Sequence, residues 1–483
     1  MSLYFGIDFG TSTNYVTKWS EEKNKVEPVS NMDSSQYGAE NSFPNVIYYQ
    51  PSGKAIIGGT AYEKFRIDPD NCVYAVKRHI GEDRWNQFIP NLSKSLSASE
   101  ITRDIFKCIK DKISNNYAGQ KIDGVVISVP YSYQNRERAQ IRKAAEDAGL
   151  NVIGLIEEPV AAALSYGLFE KDIAVGTRER VLIFDLGGGT FDVTIFEFIR
   201  SPKGFIVEVI NTAGDKNLGG NDVDELLKNH FVEDVLQIPV EDRMPKYQND
   251  ILKISKDLKE SLSECDSEMV FGVYGTRDLE CEVQREEVQD ILESNGFIAK
   301  IIDCLEEAIY DVDLEPEAID KVILVGGSSN IPIIRDKLTE FFGKEPIDTG
   351  RPEELVGEGA AVFCGLKVSN SIELEVVPKI SYAIGVKVGT KFEAVLPKNS
   401  KYQTFSDTKY LSIAETQKGT VSIDIYQGNS RSIQKCCLVG SIDVDSTAFQ
   451  ERKIGIQLGT NENGSIVYKL FDINGHIVDQ NTL

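Results

Sequence analysis

Two glycine-rich segments, each entered from an apolar strand, carry the residues with the clearest chemical potential. The first is Asp8–Thr13, which reads Asp-Phe-Gly-Thr-Ser-Thr, and the second is Asp185–Asp192, which reads Asp-Leu-Gly-Gly-Gly-Thr-Phe-Asp. Glycines allow the backbone to turn tightly, and successive exposed N–H groups in such a turn form an anion-binding concavity. The two segments together predict a site that holds the phosphates of one nucleotide.

The side chains of the two segments divide into phosphate donors and metal ligands. Phosphate contacts are predicted from the hydroxyls and backbone N–H groups of Gly10, Thr11, Ser12, Thr13, Gly187, Gly188, Gly189 and Thr190. The carboxylates of Asp8 and Asp185 would repel phosphate, but they suit Mg²⁺ held through its water shell, because Mg²⁺ dehydrates reluctantly. Asp192 is placed to orient an attacking water.

A third glycine pair supports the same interpretation. Val325-Gly-Gly-Ser328 lies between a predicted strand and a helix that starts near Pro332, which suits close approach by a ribose or an α-phosphate. The chain lacks the G-x-x-x-x-G-K-[ST] pattern, so the site is not a P-loop.

The elements that must position these segments follow an α/β pattern from residue 3 to about 368. Predicted strands include Tyr4–Ile7, Gly124–Val129, Val181–Phe184, Val193–Phe198, Phe205–Thr212 and Val322–Val325. Predicted helices include Ala98–Asn116, Arg136–Ala148, Val160–Tyr166, Asp222–Val235, Tyr247–Ser263, Arg285–Ile309 and Pro332–Phe342. A weak internal repeat relates Phe5–Thr11 to Ile183–Thr190, and two related lobes closing on one ligand would produce it.

The pattern changes after Leu366, where helical periodicity stops. Short alternating segments separated by turn residues predict an all-β module of about 100 residues. The predicted domains are therefore 1–368 for the α/β part, 369–378 for a linker and 379–483 for the β module.

Composition limits the classes of partner. The 483 residues carry a net charge of −23, which argues against nucleic acid or an anionic membrane surface. No apolar run is long enough to span a membrane, and the N-terminus does not resemble a secretion signal. Eight scattered cysteines without metal-ligand spacing indicate reduced thiols and a cytoplasmic location.

The sequence resembles the 70-kDa heat-shock (DnaK-type) chaperone family over essentially its whole length. The matching segments are Gly6–Ser12, Val76–Gly81, Ile127–Pro130, Glu157–Ala163, Phe184–Asp192, Leu218–Gly220, Leu324–Pro332, Lys398–Ser400 and Val421–Gly428. The resemblance implies an actin-like, two-lobed ATPase domain followed by a β-sandwich that binds peptides. It also implies ATP or ADP with Mg²⁺ as cofactors, and a J-domain co-chaperone and a nucleotide-exchange factor as partners.

The resemblance assigns further residues one by one. Lys77 matches the lysine that contacts the γ-phosphate and the attacking water, and Glu158 matches an acid near metal and water. Together with Asp192 and Thr190 they form the predicted catalytic set. Pro159 matches a switch proline, and Arg138 an arginine that relays nucleotide state outward. The remaining nucleoside contacts are assigned to Gly219, Gly220, Lys259, Ser263, Gly326, Gly327, Ser328 and Asn330.

One departure from the family concerns the base. The positions of the two arginines that sandwich adenine in the family are occupied by Glu260 and Asn330, neither of which can stack as a planar cation. We therefore expect lower nucleotide affinity, and a preference for adenine does not follow from the sequence.

The β module resembles the family's peptide-binding domain. Val386, Leu411, Val421 and Ile423 match residues that grip an extended or unfolded apolar peptide, although periodicity alone would place them in a strand core. Two departures weaken the transfer: acids interrupt the apolar linker Ile372–Val377, and the given sequence ends where the helical lid of the family would start.

Three functions remain open on the sequence. The first is a weakly ATP-hydrolysing chaperone whose nucleotide state modulates peptide binding by a lidless module. The second is a nucleotide-gated binding or regulatory protein with negligible turnover. The third, a small-molecule kinase of the same superfamily, lacks a recognisable sugar site.

Overall fold

The structure is a computed structural model that describes residues 2–23, 25–30, 32, 42–131, 133, 135–169, 174–202, 204–368, 373–377, 379–412, 419–445, 447, 449, 453–461 and 464–483. The chain divides into two compact units. The first contains Met1–Ser132, Glu137–Phe205 and Thr212–Leu374, and the second contains Tyr133–Arg136, Ile206–Asn211 and Glu375–Leu483. The main division falls inside the predicted linker, whose residues 369–372 and 378 lie outside the described part.

Strands and helices alternate in the first unit, as the α/β prediction requires. Its strands, with the junction strand β18, are β1 Tyr4–Phe9, β2 Thr13–Ser20, β3 Lys25–Pro28, β4 Ser42–Pro44, β5 Val46–Tyr49, β6 Ala55–Ile57, β7 Cys72–Tyr74, β8 Asn86–Ile89, β9 Lys94–Ser97, β10 Gly124–Val129, β11 Val152–Glu157, β12 Arg178–Leu186, β13 Phe191–Ser201, β14 Gly204–Asp215, β15 Ser267–Tyr274, β16 Arg277–Gln284, β17 Lys321–Val325 and β18 Glu373–Val377.

The helices of this unit pack around those strands. They are α1 Gly59–Ile67, α2 Ala98–Asn116, α3 Asn135–Asp147, α4 Glu158–Phe169, α5 Gly220–His230, α6 Pro245–Ser261, α7 Arg285–Ser294, α8 Phe297–Tyr310, α9 Pro332–Phe342 and α10 Leu355–Val368. Short helical turns also occur at Val76–His79 and Gly327–Asn330, and five π-helical residues, Phe231–Val235, follow α5.

Two sheets of similar topology carry the glycine-rich segments. The first has the order β11-β10-β1-β2-β3, with β1 antiparallel to β2 and parallel to β10. The second includes the order β17-β12-β13-β14, with β12 antiparallel to β13 and parallel to β17. The segment after β1 and the segment after β12 thus occupy equivalent positions, as the internal repeat predicts.

Helix α2 shows how local sequence sets an element that supports the first sheet. Ser97 and Glu100 form a reciprocal capping box at its start, which satisfies backbone N–H groups that the helix leaves unpaired. Ile101, Ile105, Ile109 and Ile113 recur at four-residue spacing and are buried. The helix therefore begins and ends where the sequence predicts.

The prediction of a single helix at Arg285–Ile309 is wrong in one respect. It is two helices, α7 and α8, separated at Asn295 and Gly296. Gly296 has a φ of 72°, a left-handed conformation that glycine adopts without steric cost and that ends a helix.

The second unit is all β, as predicted for the C-terminal module. Its strands are β19 Ile384–Val388, β20 Lys391–Leu396, β21 Lys409–Ser412, β22 Thr420–Gln427, β23 Cys437–Asp445, β24 Lys453–Thr460, β25 Ile466–Phe471 and β26 Ile477–Thr482. They form two four-stranded sheets with the orders β20-β19-β22-β23 and β21-β24-β25-β26. Buried residues of both sheets, such as Ile425 and Ile456, belong to one hydrophobic core. Among the described helices of the whole chain, none combines the length and apolar character needed to cross a membrane.

Candidate functional site

The first glycine-rich turn is fixed by hydrogen bonds from Asn45, which lies between β4 and β5, and the aspartate before the turn is fixed by Ser128 on β10. The side-chain amide of Asn45 donates to the Gly10 carbonyl over 2.6 Å, and the Asn45 backbone N–H donates to the Ser12 carbonyl over 2.7 Å. Asp8, near the end of β1, accepts a 2.6 Å hydrogen bond from the Ser128 hydroxyl on β10. These contacts fix the direction of the Asp8 carboxylate and the turn that follows it.

The second turn joins β12 to β13 and places two acids directly opposite each other. Asp185 and Asp192 are register partners across the two strands. The Gly187 N–H donates to the Thr190 carbonyl over 3.0 Å, which closes the turn. The predicted metal ligand and the predicted water-orienting acid therefore lie at the mouth of one hairpin.

The two turns approach each other so closely that side chains are excluded. A Cβ added at Gly188 would lie 1.9 Å from the Ser12 hydroxyl oxygen, and one added at Gly189 would lie 2.4 Å from the Thr11 Cγ2 atom. Non-bonded atoms cannot approach this closely, so glycine is required at both positions. The phosphate-binding segments predicted from the sequence thus converge on one place.

Lys77 and Glu158 form a buried ion pair beside these turns. The ammonium nitrogen lies 2.5 Å from a carboxylate oxygen, and the two side chains are only 3% and 8% exposed. Lys77 belongs to the short helical turn Val76–His79, and Glu158 is the first residue of α4. These two of the four residues in the predicted catalytic set are therefore desolvated, and each neutralises the charge of the other.

The acids around this ion pair repel one another. Burial, and then the Glu158 charge, raise the pKa of Asp8 from 3.8 to about 6, although the Lys77 ammonium partly opposes this shift. Burial and the charges of Glu158, Asp192 and Asp8 raise the pKa of Asp185 well above its ordinary value. The residues present therefore fit a divalent cation, because such a cation would relieve the repulsion. No three His, Cys, Asp or Glu side chains within the described ranges form a direct metal-ligand group.

A cavity of about 750 Å³ connects the phosphate turns to α6 and α9. Of the residues predicted to bind nucleotide, Ser12, Thr13, Gly188, Lys259, Ser263, Gly327, Ser328 and Asn330 line it. Gly10, Thr11, Gly187, Gly189, Thr190 and Gly326 belong to the same three turns, whereas Gly219 and Gly220, at the start of α5, lie against Gly189 and Ser328. The cavity can enclose a ligand the size of a nucleoside triphosphate.

Three of the predicted nucleoside contacts already have protein partners. Lys259 lies 2.7 Å from an Asp224 carboxylate oxygen and donates to the Gly220 carbonyl over 3.1 Å. The Ser263 hydroxyl donates to the Lys259 carbonyl over 3.0 Å. The Asn330 side-chain oxygen accepts a 3.1 Å hydrogen bond from Arg335. The base end of the cavity is therefore lined by two sets of paired polar groups, one around Lys259 and one around Asn330.

Several residues of the site have no motif in the sequence. The Tyr74 hydroxyl and the Ser12 hydroxyl both donate to the Asn221 side-chain oxygen, over 2.8 and 3.0 Å. Arg78 pairs with Asp222 at 2.7 Å. These contacts join the first turn and its supporting helical turn to the start of α5. Tyr, Asn and Arg are too common for any spacing rule to have identified them.

The two residues assigned to signalling lie next to the catalytic acid. Arg138 forms a 2.7 Å ion pair with Glu157, and both side chains are largely buried. Glu157 directly precedes Glu158, and Pro159 is the second residue of α4. The structure thus connects Arg138 to the β11–α4 turn, and the relay role itself stays a prediction.

The residues assigned to peptide binding lie in the core of the second unit. Val386, Val421 and Ile423 are at most 8% exposed, and the partly buried Leu411 packs against the same cluster. Contact between a peptide and the three buried side chains would require this core to open. Their role in peptide binding therefore also remains a prediction.

Comparison with known proteins identifies the family. The Hsp70 protein family model matches residues 4–468. The chaperone protein HscA of Buchnera aphidicola is 32% identical over 465 residues, which cover 90% of this chain and 84% of the relative. The chaperone protein DnaK of Thermotoga petrophila is 31% identical over 448 residues, covering 90% of this chain and 72% of the relative. The chain belongs to the Hsp70 family, whose members are ATP-binding chaperones.

Proposed function

We propose that this chain binds ATP with Mg²⁺ in the 750 Å³ cavity and hydrolyses it slowly. The observation that carries the proposal is the acidic cluster of Asp8, Glu158, Asp185 and Asp192 beside the ammonium of Lys77. Phosphoryl transfer needs positioning and charge stabilisation more than covalent chemistry, and this cluster can supply both.

Each residue has a distinct part in the proposed reaction. Asp8 and Asp185 would hold Mg²⁺ through water, and the ion would supply charge neutralisation between the phosphates. Lys77 would contact the γ-phosphate, while Glu158 and Asp192 orient the attacking water. Hydroxyls and backbone N–H groups of the three turns, with Thr11 and Thr190 among them, would bind phosphate oxygens.

The second part of the proposal concerns coupling to a client. ATP binding and hydrolysis would change the β11–α4 turn, and Arg138 would transmit the change through its ion pair with Glu157. The second unit would then bind extended peptide segments with an affinity that depends on the nucleotide. Such coupling exists only if the two nucleotide states bind peptide with different free energies.

The chaperones HscA and DnaK, to which the chain is similar, support the client class and the partners. We infer that unfolded or extended peptides are the clients. A J-domain co-chaperone would stimulate hydrolysis, and a nucleotide-exchange factor would release ADP. The cytoplasm, where ATP is abundant, is the proposed location.

A single-turnover hydrolysis assay tests the proposal. The protein is mixed in excess over radiolabelled ATP with Mg²⁺, and phosphate release is compared with that of Lys77→Ala. We expect wild-type hydrolysis to exceed that of the variant by at least about a hundredfold, the range of a lost transition-state charge contact. Circular dichroism must show that the variant is folded, because the change leaves Glu158 buried without its cation.

The assay also separates the alternatives. Tight ATP binding with equal hydrolysis by both proteins would leave a nucleotide-gated binding module and remove the enzyme. Failure of ATP, ADP and GTP to raise the melting temperature of the wild type would remove nucleotide binding altogether.

A further inference from the structure

The wall of the cavity opposite the phosphate turns contains one guanidinium among its described residues. Arg335, in the first turn of α9, lines the cavity together with Asn330, Ile331 and Pro332. The other cations of the described lining are Lys256 and Lys259. Lys259 forms an ion pair with Asp224 and its side chain is only 11% exposed, so it has little freedom to turn toward a ligand.

Arg335 is held in a fixed orientation. One of its terminal nitrogens donates to the Asn330 side-chain oxygen over 3.1 Å and to an Asp348 carboxylate oxygen over 2.6 Å. Asp348 is itself fixed, because it accepts a 2.8 Å hydrogen bond from the Gly350 backbone N–H. The Nε atom of Arg335 is buried and has no hydrogen-bond partner among the described residues. The guanidinium is thus held along one edge, and 37% of the Arg335 side chain remains exposed.

The ion pair with Asp348 determines which kind of ligand group can bind to the Arg335 guanidinium. An arginine that is neutralised by a carboxylate attracts a polyanion weakly, whereas its delocalised plane still stacks on an aromatic ring. A triphosphate would have stronger attractions to the backbone N–H groups of the glycine turns that line the cavity, and to Lys77, which lies beside Phe9 of the first turn. The ring that fits Arg335 is therefore the base of the same ligand.

We propose that Arg335 is the base-binding residue of this chain, and that it packs on one face of a purine while Asn330 and Asp348 position it. The inference rests on the proposed nucleotide function. Glu260, the other prominent side chain at this end, is a carboxylate with 61% exposure and cannot stack from the opposite side. Among the described residues of the lining, Arg335 is therefore the planar cation that can stack on the base.

Stacking on one face recognises ring area and not the pattern of donors and acceptors at the ring edge. ATP and GTP should therefore bind with similar affinity, within about threefold. CTP and UTP should bind more weakly than either, because a pyrimidine offers one ring where a purine offers two. The proposed nucleotide site is thus selective for purines and tolerant between them.

Titration calorimetry on the full chain with Mg²⁺ tests the assignment. The ligands are ATP, GTP, CTP and inorganic tripolyphosphate, which has the phosphates but no base. Arg335→Gln should weaken ATP and GTP binding about tenfold and leave tripolyphosphate binding unchanged. Lys337→Gln is the matched control: it removes a charge from the same helix at a residue paired with Glu293, and it should change neither.

A second variant keeps the test informative if Arg335→Gln disturbs the structure around Asn330 and Asp348. Adding Asn330→Arg to Arg335→Gln places a guanidinium one turn earlier and should recover at least half of the lost ATP affinity. An equal loss of tripolyphosphate and ATP binding in Arg335→Gln would overturn the proposal, since that pattern indicates general electrostatics or misfolding. Wild-type protein that binds ATP no more tightly than tripolyphosphate would also overturn it, while leaving the phosphate site intact.

Discussion

Replacing Asp8 with asparagine should stabilise the metal-free protein while abolishing its stabilisation by Mg²⁺ and nucleotide. The substitution keeps the shape of the side chain and can keep the 2.6 Å hydrogen bond from Ser128. It removes one negative charge from a group of four acids that share the ammonium of Lys77. In the proposed site these acids bind a cation, and we expect their repulsion to weaken the fold when the cation is absent.

The pKa of Asp8 gives the size of the effect. Its rise from 3.8 to about 6 corresponds to at most ~3 kcal/mol in the free energy of unfolding, at ~1.4 kcal/mol for each pH unit. Asp8 remains partly accessible to solvent, which screens the charge, so we expect ~1–2 kcal/mol. For a unit of this size that is a melting-temperature increase of about 2 °C.

The sign follows from proton linkage. The folded pKa of Asp8 lies above its value in the unfolded chain, so the folded protein retains a proton that the unfolded chain has released between these two pH values. Wild-type stability is therefore lost as pH rises from about 4 through about 6. The advantage of Asp8→Asn should be near zero at pH 4 and reach its full value above pH 6.5 or so.

Differential scanning calorimetry in chelator-treated buffer, repeated with Mg²⁺ and ADP, measures both halves of the prediction. At a hundredfold excess of ligand over its dissociation constant the wild type should gain ~2.7 kcal/mol and the variant nothing. Asp147→Asn, which removes an exposed carboxylate paired with Lys143, is the control and should change neither temperature by more than a degree or so. A variant that melts below wild type in metal-free buffer at pH 7 would refute the reasoning.

Three further changes test other contacts of the site. Gly188→Ala should lower nucleotide affinity at least tenfold by calorimetry, because its Cβ would lie 1.9 Å from the Ser12 hydroxyl oxygen and must separate the two turns. Tyr74→Phe removes the 2.8 Å hydrogen bond to Asn221 and should speed release of a fluorescent ADP about fivefold, the kinetic equivalent of ~1 kcal/mol. Arg138→Met breaks a largely buried ion pair and should leave ATP affinity within twofold while reducing the effect of ATP on peptide affinity severalfold.

Each of these three predictions would be contradicted by a different result. Unchanged affinity in Gly188→Ala would show that the turns can separate without cost. Unchanged ADP release in Tyr74→Phe would mean that the contact across the turns does not limit exit of the nucleotide. A loss of ATP affinity in Arg138→Met equal to its loss of coupling would assign the arginine to binding and not to transmission.

The phosphate end of the site could be predicted because its chemistry demands particular residues at short spacing. Glycines next to Asp and Thr, repeated after two strands, are typical of phosphate binding, and the structure brings Asp8, Asp185 and Asp192 together. The ion pair between Lys77 and Glu158 could not be predicted from spacing, because 81 residues separate the partners. It depends on how the helical turn Val76–His79 lies against the start of α4, which periodicity does not specify.

The helices and strands also divide into those that the sequence predicts and those that it does not. Helix α2 was predictable because its capping box and its isoleucine spacing agree, whereas the break at Gly296 interrupts a stretch that keeps helical periodicity on both sides. Strand β26 was not predicted, because Ile477 and most of its other residues are exposed and no alternation of burial marks it. Local patterns thus predict elements that bury one regular face and fail where an element lies at an edge.

The buried ion pair of Lys77 and Glu158 also implies an order for the steps of the proposed ATP hydrolysis. In the proposed reaction the γ-phosphate of ATP would meet a Lys77 ammonium that is already desolvated, because its side chain is only 3% exposed. The phosphate must compete with Glu158 for that ammonium, and once it succeeds the carboxylate loses its cation. A carboxylate released in this way accepts a hydrogen bond from water more strongly than before. In the proposed reaction Glu158, which would orient the attacking water, would therefore stay paired with Lys77 until ATP is in place.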